Sequence, residues 1–157
     1  MTVAATDPGA AVAVARFGVR FGGIDLALPG DMPLVFLDRA VVHPLAGAPA
    51  AVAGLTQLQG HPVVVLEAEP LALLPAIRRC AVLVIGAPGQ GAGLRVDRAP
   101  VAITVDESSR TRSANPPACS FGAVLRAPLR DAADPQRLWW TFEAPALFRL
   151  LGTLEAI

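Results

Sequence analysis

The chain carries little charge and none of it is unbalanced. Charged residues make up 17% of its 157 positions, and 13 acidic residues cancel 13 basic ones. Every basic residue is an arginine, because lysine is absent, as is tyrosine. A chain without net charge creates no summed field that would attract a phosphate backbone or an anionic membrane surface. We therefore expect no nucleic-acid partner.

Cysteine is equally scarce, since the chain has only Cys80 and Cys119. Two isolated cysteines form neither a disulfide framework nor a CxxC metal site. The two histidines, His43 and His61, match no ligand spacing for a metal ion either. The sequence therefore predicts a protein of a reducing compartment, with no metal and no cofactor.

Signals for export and membrane insertion are also missing. Residues 1–18 lack a basic leader, and Arg16 comes before any hydrophobic region of a signal peptide is complete. The longest uncharged segment, 40–66, has the length of a membrane span but contains three prolines, two glutamines and both histidines. We expect a cytoplasmic protein with no direct membrane insertion, in which residues 1–12 are flexible.

Hydrophobic residues, by contrast, are abundant at 54%, which is enough to fold the chain into a packed domain. Short alternating or apolar segments, separated by glycine and proline, are typical of strands. The predicted strands cover 13–21, 24–28, 34–37, 41–42, 54–58, 62–66, 80–85, 93–97 and 101–105, and a connection follows at 128–135. Leucines at helical spacing predict one short C-terminal helix within 144–154. The fold class is therefore mainly β.

Two adjacent tryptophans, Trp139 and Trp140, lie near the end of the chain. Neighbouring side chains on a strand point to opposite faces of the sheet. One tryptophan is therefore expected to point inward and the other toward solvent or a partner, where it would be a candidate interface anchor. The alternative is that the second tryptophan covers a barrel edge.

Few residues have the spacing of a catalytic site. The glycine-rich segment 86–93 lacks the GK[ST] ending of a phosphate-binding loop and predicts a tight hairpin. One enzymatic alternative is a small thiol-dependent hydrolase or transferase that uses Cys80 or Cys119 with His61 as its base. Another alternative is an SH3-like peptide-binding module, although only six phenylalanines and two tryptophans are present to line a groove. The main expectation is a binding protein that is not an enzyme.

The segment GAPAAVAGLTQLQGHPVVVLEA at 47–68 resembles the signature hairpin of CheW-like domains, the coupling adaptors of bacterial chemosensory systems. The shared positions are Pro49, Val52, Gly54, Leu58 and Gly60. Further segments are similar to the family in the same order, namely 21–28, GLRVDR at 93–98 and LWWTFEAPALFRLL at 138–151. The resemblance spans nearly the whole chain, so residues 1–157 are identified as a single CheW-like domain.

The resemblance implies two small five-stranded SH3-like β-barrels around a shared hydrophobic core, with a groove between them. It also implies a function without catalysis. CheW-like adaptors couple the cytoplasmic tip of a methyl-accepting chemoreceptor to the regulatory domain of a CheA-type histidine kinase. The expected setting is a signalling complex that controls chemotaxis or type IV pilus motility.

The resemblance also suggests two sets of contact residues. The set directed to the receptor or the barrel groove is Val35, Phe36, Gly54, Gln57, Gln59, Gly60 and His61. The set directed to the kinase is Glu67, Asp97 and Arg98. The chain departs from the family at Gln59, where an arginine is usual. A neutral amide does not bind a carboxylate with the two parallel hydrogen bonds of a guanidinium group.

Overall fold

The computed structural model describes residues 13–70, 76–109 and 114–154, and within these ranges the chain forms ten strands and one α-helix. The strands are β1 (Ala13–Phe21), β2 (Ile24–Ala27), β3 (Leu34–Val42), β4 (Val52–Leu58), β5 (His61–Leu66), β6 (Arg78–Ile85), β7 (Ala92–Arg95), β8 (Val101–Asp106), β9 (Leu129–Asp131) and β10 (Leu138–Trp139), and the helix is α1 (Ala144–Leu151). The flexibility expected for residues 1–12 lies outside the described residues.

The ten strands form two five-stranded sheets. Barrel A has the strand order β10-β9-β8-β1-β2, and barrel B has the order β3-β6-β7-β5-β4. Neighbouring strands are antiparallel except β5 and β7, which pair in parallel. The prediction of a mainly-β fold with two five-stranded barrels and a short C-terminal helix is confirmed. The strands of barrel B are consecutive in the sequence, so barrel B is inserted between β2 and β8 of barrel A.

Barrel A curls until its outer strands meet at a parallel bridge between Leu26 and Trp140. The N–H of Ala27 donates to the carbonyl of Trp140 at 2.8 Å, and the N–H of Trp140 donates to the carbonyl of Asp25 at 2.9 Å. These bonds link the β2 side of the sheet to the segment that continues β10. Closure of this kind covers edges that would otherwise pair with other chains.

Barrel B closes at one antiparallel bridge, in which His43 and Leu55 exchange two hydrogen bonds of 2.8 Å. The neighbouring residue, Gly54, has a φ of +147° and follows a register shift in β4. A Cβ atom at Gly54 would overlap the carbonyl oxygen of His43. Glycine is therefore required where the two outer strands of barrel B come together.

The hydrophobic core lies partly inside each barrel and partly between them. The barrel A cluster is Ala27, Ile103, Val105, Leu129 and Trp139, and the barrel B cluster is Ala40, Val42, Ala53, Val63, Val65, Val82 and Val84. The largest cluster contains Phe21 and Leu26 from barrel A, Leu83, Ile85 and Leu94 from barrel B, and Leu147 and Leu151 from α1. This shared core packs the two barrels and the helix together.

Both tryptophans are buried, which corrects the expectation that one of them faces solvent. Trp139 lies in the barrel A cluster, and Trp140 lies in the shared core. The outer face of this segment is not exposed, because the shared core covers it. Neither tryptophan is available as an interface anchor.

Two further differences concern strands. β9 forms within the segment 128–135, which was predicted to be a connection. It was missed because three residues are too few to show the periodicity of a strand. β3 is one strand from Leu34 to Val42, although two separate strands were expected. A register shift between Leu37 and Ala40 interrupts the alternation of its side chains, and this made the sequence look like two strands. No helix among the described residues is long and apolar enough to cross a membrane.

Candidate functional site

Most of the predicted contact residues lie at the two ends of barrel B. The end that we call the hairpin end contains Val35, Phe36, Gln57, Gln59, Gly60 and His61. The end that we call the charged end contains Glu67, Arg78, Arg95, Asp97 and Arg98. β5 runs from His61 at the hairpin end to Leu66, which directly precedes Glu67. At a rise of about 3.3 Å per residue, the two ends are about 20 Å apart.

The hairpin end is built around the turn between β4 and β5. Gln59 and Gly60 both have positive φ values, of 51° and 79°, as a two-residue hairpin turn of type I′ requires. Gln57, Gln59, Gly60 and His61 are all exposed. A Cβ atom at Gly89 would lie 3.5 Å from Nδ1 of His61, so the loop after β6 passes beside this imidazole ring.

Val35 and Phe36 lie on β3 near the same end, and both are half-buried. Val35 pairs with Val84 and packs against the barrel B cluster. Phe36 pairs with Leu83 and packs against the shared core. A partner would therefore reach only part of each side chain. Gly54 lies away from this end, at the bridge that closes barrel B, and its absence of a side chain serves that closure.

The charged end is organised around a buried carboxylate. Glu67 is only 2% exposed, and its Oε1 and Oε2 accept hydrogen bonds from Nη2 of Arg78 at 2.8 Å and from Nε of Arg95 at 2.5 Å. Each arginine side chain remains about one-third exposed. The surface at this end therefore consists of the two arginines, and Glu67 holds them from beneath.

The groups around Arg95 favour its charged form further. Burial opposes the charged form, but the hydrogen bond and charge of Glu67, together with the charge of Asp97, raise the pKa of Arg95 above its ordinary value. Asp97 and Arg98 are exposed in the connection between β7 and β8. Barrel B thus brings Asp97, Arg98 and the two arginines over Glu67 to one surface.

The sequence interpretation missed Arg78 and Arg95. A glutamate that directly follows the apolar strand residues VVVL signals a buried carboxylate, and such a group requires a cationic partner. That signal identifies the need for an arginine. It does not identify which arginine, because Arg78 and Arg95 lie 11 and 28 residues from Glu67 in the sequence.

Neither cysteine has the surroundings of an activated nucleophile. Burial raises the pKa of the Cys80 thiol, Glu67 adds to the shift, and Arg78 and Arg95 oppose it. Burial also raises the pKa of Cys119, against hydrogen bonds from the backbone N–H groups of Phe121 and Gly122. A raised pKa leaves less of the reactive thiolate at neutral pH.

The structure does not bring either cysteine to His61. Cys80 is close enough to Glu67, at the charged end, for the two groups to interact electrostatically. Cys119 interacts in the same way with Glu69, two residues after Glu67. His61 lies at the opposite end of β5. Within the described ranges, no group of three or more histidine, cysteine or acidic side chains is placed to hold a metal ion.

Surface grooves lie beside barrel B and at the junction of the two barrels. We call the line along which β3 and β4 meet to close barrel B the seam. A groove of about 650 Å³, the seam groove, lies beside it and is lined by Leu37, Asp38, Arg39, Ala40, Val41, His43, Leu55, Thr56, Gln57 and Pro62. Two smaller grooves, of about 540 and 430 Å³, follow β1 and the 29–34 connection at the junction. Phe17 lines the smallest and is 53% exposed.

Comparisons with known proteins do not identify a family for this chain. No protein-family model matches the chain, and a search of curated proteins finds no significant match.

Proposed function

We propose that the chain is a non-enzymatic adaptor, similar to CheW-like proteins, that couples a chemoreceptor tip to the regulatory domain of a CheA-type histidine kinase. The observation that carries the proposal is the arrangement of barrel B. One closed barrel presents two chemically different surfaces, the hairpin end and the charged end, about 20 Å apart. Two separate surfaces on a rigid element are what an adaptor needs to hold two partners at a fixed distance.

The charged end is the surface we assign to the kinase. Arg78 and Arg95 are held in place by Glu67, so a partner carboxylate meets guanidinium groups whose positions are already fixed. Preorganised side chains lose less conformational freedom on binding. Arg98 and Asp97 extend the same surface into solvent. An acidic or mixed-charge patch on the kinase domain complements it.

The hairpin end is the surface we assign to the receptor. Its exposed groups are neutral amides and an imidazole, with the apolar edges of Val35 and Phe36 beside them. Gln59 stands at the tip of the turn, where its side chain is accessible. The two surfaces share one barrel, so binding at one end is linked to binding at the other when barrel B differs slightly between partner-bound states.

Isothermal titration with the kinase regulatory domain and with a receptor-tip peptide from the same organism tests the proposal. Arg98→Glu should weaken kinase binding at least fivefold and leave receptor binding unchanged. Gln59→Arg should strengthen receptor binding and leave kinase binding unchanged. The matched control is Arg149→Glu, which makes the same charge change on an exposed position of α1.

The absence of binding to both partners would overturn the proposal. It would also fail if Arg98→Glu and Arg149→Glu weakened kinase binding equally, because the charged end would then have no special part in binding. Tryptophan fluorescence reports whether each variant is folded, since both Trp139 and Trp140 are buried.

A further inference from the structure

The seam of barrel B is joined at only one position. His43 and Leu55 exchange two hydrogen bonds, so their backbone groups point across the seam. In an antiparallel ladder the next residues with this orientation lie two positions away on each strand, at Val41 and Gln57. No pairing between Val41 and Gln57 is formed, although both residues belong to described strands. The two strands diverge there, and the seam groove lies between them.

The divergence has a cause in β3. Its pairing with β6 shifts register between Leu37 and Ala40, so Asp38 and Arg39 bulge out of the ladder and are exposed. A bulge bends its strand and increases the local twist. β3 therefore turns away from β4 just beyond the His43–Leu55 bridge.

The backbone of Gln57 faces this groove for a second reason. Its partner on the other side is Pro62 in β5, which has no N–H group. Gln57 and Pro62 therefore occupy a position of the β4–β5 hairpin at which no backbone hydrogen bonds are exchanged, and this agrees with the orientation of Leu55 two residues earlier. The N–H and carbonyl groups of Gln57 are directed into the seam groove.

Thr56 supplies an independent observation. It is 5% exposed, lines the seam groove, and its hydroxyl has no hydrogen-bond partner among the described residues. In the part of the chain that the structure describes, no side-chain oxygen or nitrogen is both fully buried and without a partner, so this hydroxyl is reached from the groove. A hydroxyl that opens to a groove and has no protein partner is free to form a hydrogen bond with a ligand.

We propose that the seam groove binds an extended, uncharged peptide segment of another protein, which adds as a strand against β4 at Gln57. An extended main chain carries donors and acceptors that match the N–H and carbonyl of Gln57, with one further group for the Thr56 hydroxyl. Leu37, Val41 and Leu55 give the groove apolar walls, and Asp38 and Arg39 cancel in charge. The inference does not depend on the adaptor function, because it rests on the backbone of Gln57, whereas the receptor surface proposed above uses exposed side chains of the hairpin end.

The experiment begins with a displayed library of random seven-residue peptides, selected against the full chain. The affinity of the strongest peptide is then measured after N-methylation of each backbone amide in turn. Strand addition predicts that methylation of one amide, the one that donates to the Gln57 carbonyl, weakens binding at least tenfold, whereas methylation of the two neighbouring amides, which point away from β4, is tolerated. Equal sensitivity along the peptide, or enrichment of no peptide, would overturn the proposal.

Variants of the chain test whether the selected peptide binds beside Gln57. Gln57→Pro removes the N–H that faces the groove and should weaken the selected peptide at least fivefold, whereas Gln57→Ala keeps this group and should bind as the unaltered chain does. Thr56→Val should weaken binding about threefold. If Gln57→Pro does not fold, protection of the Gln57 amide from hydrogen exchange upon peptide addition gives the same answer. Unchanged exchange at Gln57, or equal affinities of the proline and alanine variants, would refute the site.

Discussion

At the scale of single residues, the indole of Trp139 shows how a buried side chain is fixed by charged neighbours. Its Nε1–H donates to Oδ2 of Asp131 at 2.9 Å, and the guanidinium of Arg137 lies 4.3 Å from the ring centroid. Asp131 also accepts hydrogen bonds from the N–H groups of Ala133 and Asp134. The carboxylate thus joins the barrel A core to the turn that follows β9.

These contacts predict how stability depends on pH. The Trp139 hydrogen bond, helped by the two backbone N–H groups and the charge of Arg137 and opposed by burial, lowers the pKa of Asp131. A lowered pKa in the folded state gives a stabilisation that is complete above the ordinary pKa of about 4 and is lost as the pH falls through the folded value. Asp131→Asn should cost about 1 kcal/mol at pH 7 and less at pH 2.5, which lies below the ordinary pKa of the group.

Guanidinium unfolding followed by tryptophan fluorescence at the two pH values measures this difference. Asp134→Asn is the control, because the Asp134 carboxylate accepts a local hydrogen bond from the N–H of Gln136, whereas the indole of Trp139 donates to Asp131. A destabilisation by Asp131→Asn that is the same at pH 7 and pH 2.5 would contradict the assignment.

The residue scale is where sequence interpretation was weakest. The family resemblance predicted that Glu67 contacts the kinase, but in the structure its buried carboxylate holds Arg78 and Arg95. Trp140 was a candidate for exposure because it neighbours Trp139. Both outcomes depend on what lies on the far side of a strand, and this is set by segments distant in the sequence.

At the scale of elements, the closure of barrel B depends on the backbone at Gly54. Gly54→Ala should cost more than about 3 kcal/mol, because it combines an unfavourable φ with a clash against the His43 carbonyl. Gly23 is a matched control, since its φ is +79° and an added Cβ there would meet no atom within 4 Å. Gly23→Ala should cost about 1 kcal/mol. Thermal unfolding of the two variants gives the comparison, and equal losses would show that the seam tolerates a side chain.

Most strands could be predicted from the sequence, and the closures could not. The alternation in 13–21 and the apolar run in 80–85 were sufficient to predict β1 and β6. β9 was missed because only its pairing with β8 and β10 makes its three residues a strand. No local sequence pattern predicts the bridge between Leu26 and Trp140 or the bridge between His43 and Leu55. The one hint is Gly54, next to Leu55.

At the scale of the whole molecule, the shared core leads us to expect that the two barrels unfold as one cooperative unit. Leu147 on α1 is fully buried among residues from both barrels. Leu147→Ala should cost about 2–5 kcal/mol and should destabilise barrel A and barrel B equally. Leu45→Ala, at an exposed position, should cost much less.

Two probes test this cooperativity in the Leu147→Ala variant. In a Trp140→Phe background, Trp139 fluorescence reports on barrel A, and hydrogen exchange at the Leu83 amide in β6 reports on barrel B. Coincident loss of both signals with denaturant is expected for a two-state transition. Protection of Leu83 that persists after Trp139 becomes exposed would show that the barrels unfold separately.

The insertion of barrel B within barrel A also orders events during synthesis. A ribosome that has released residues 34–95 has released every strand of barrel B, whereas barrel A still lacks β8, β9 and β10. The pairing of β1 with β8 joins Ala13 to Asp106 across this insertion. Once barrel B has folded, the ends of that long segment are already close together, so the entropy lost in joining them is smaller. The order of the strands therefore allows barrel B to fold while barrel A is still being synthesised.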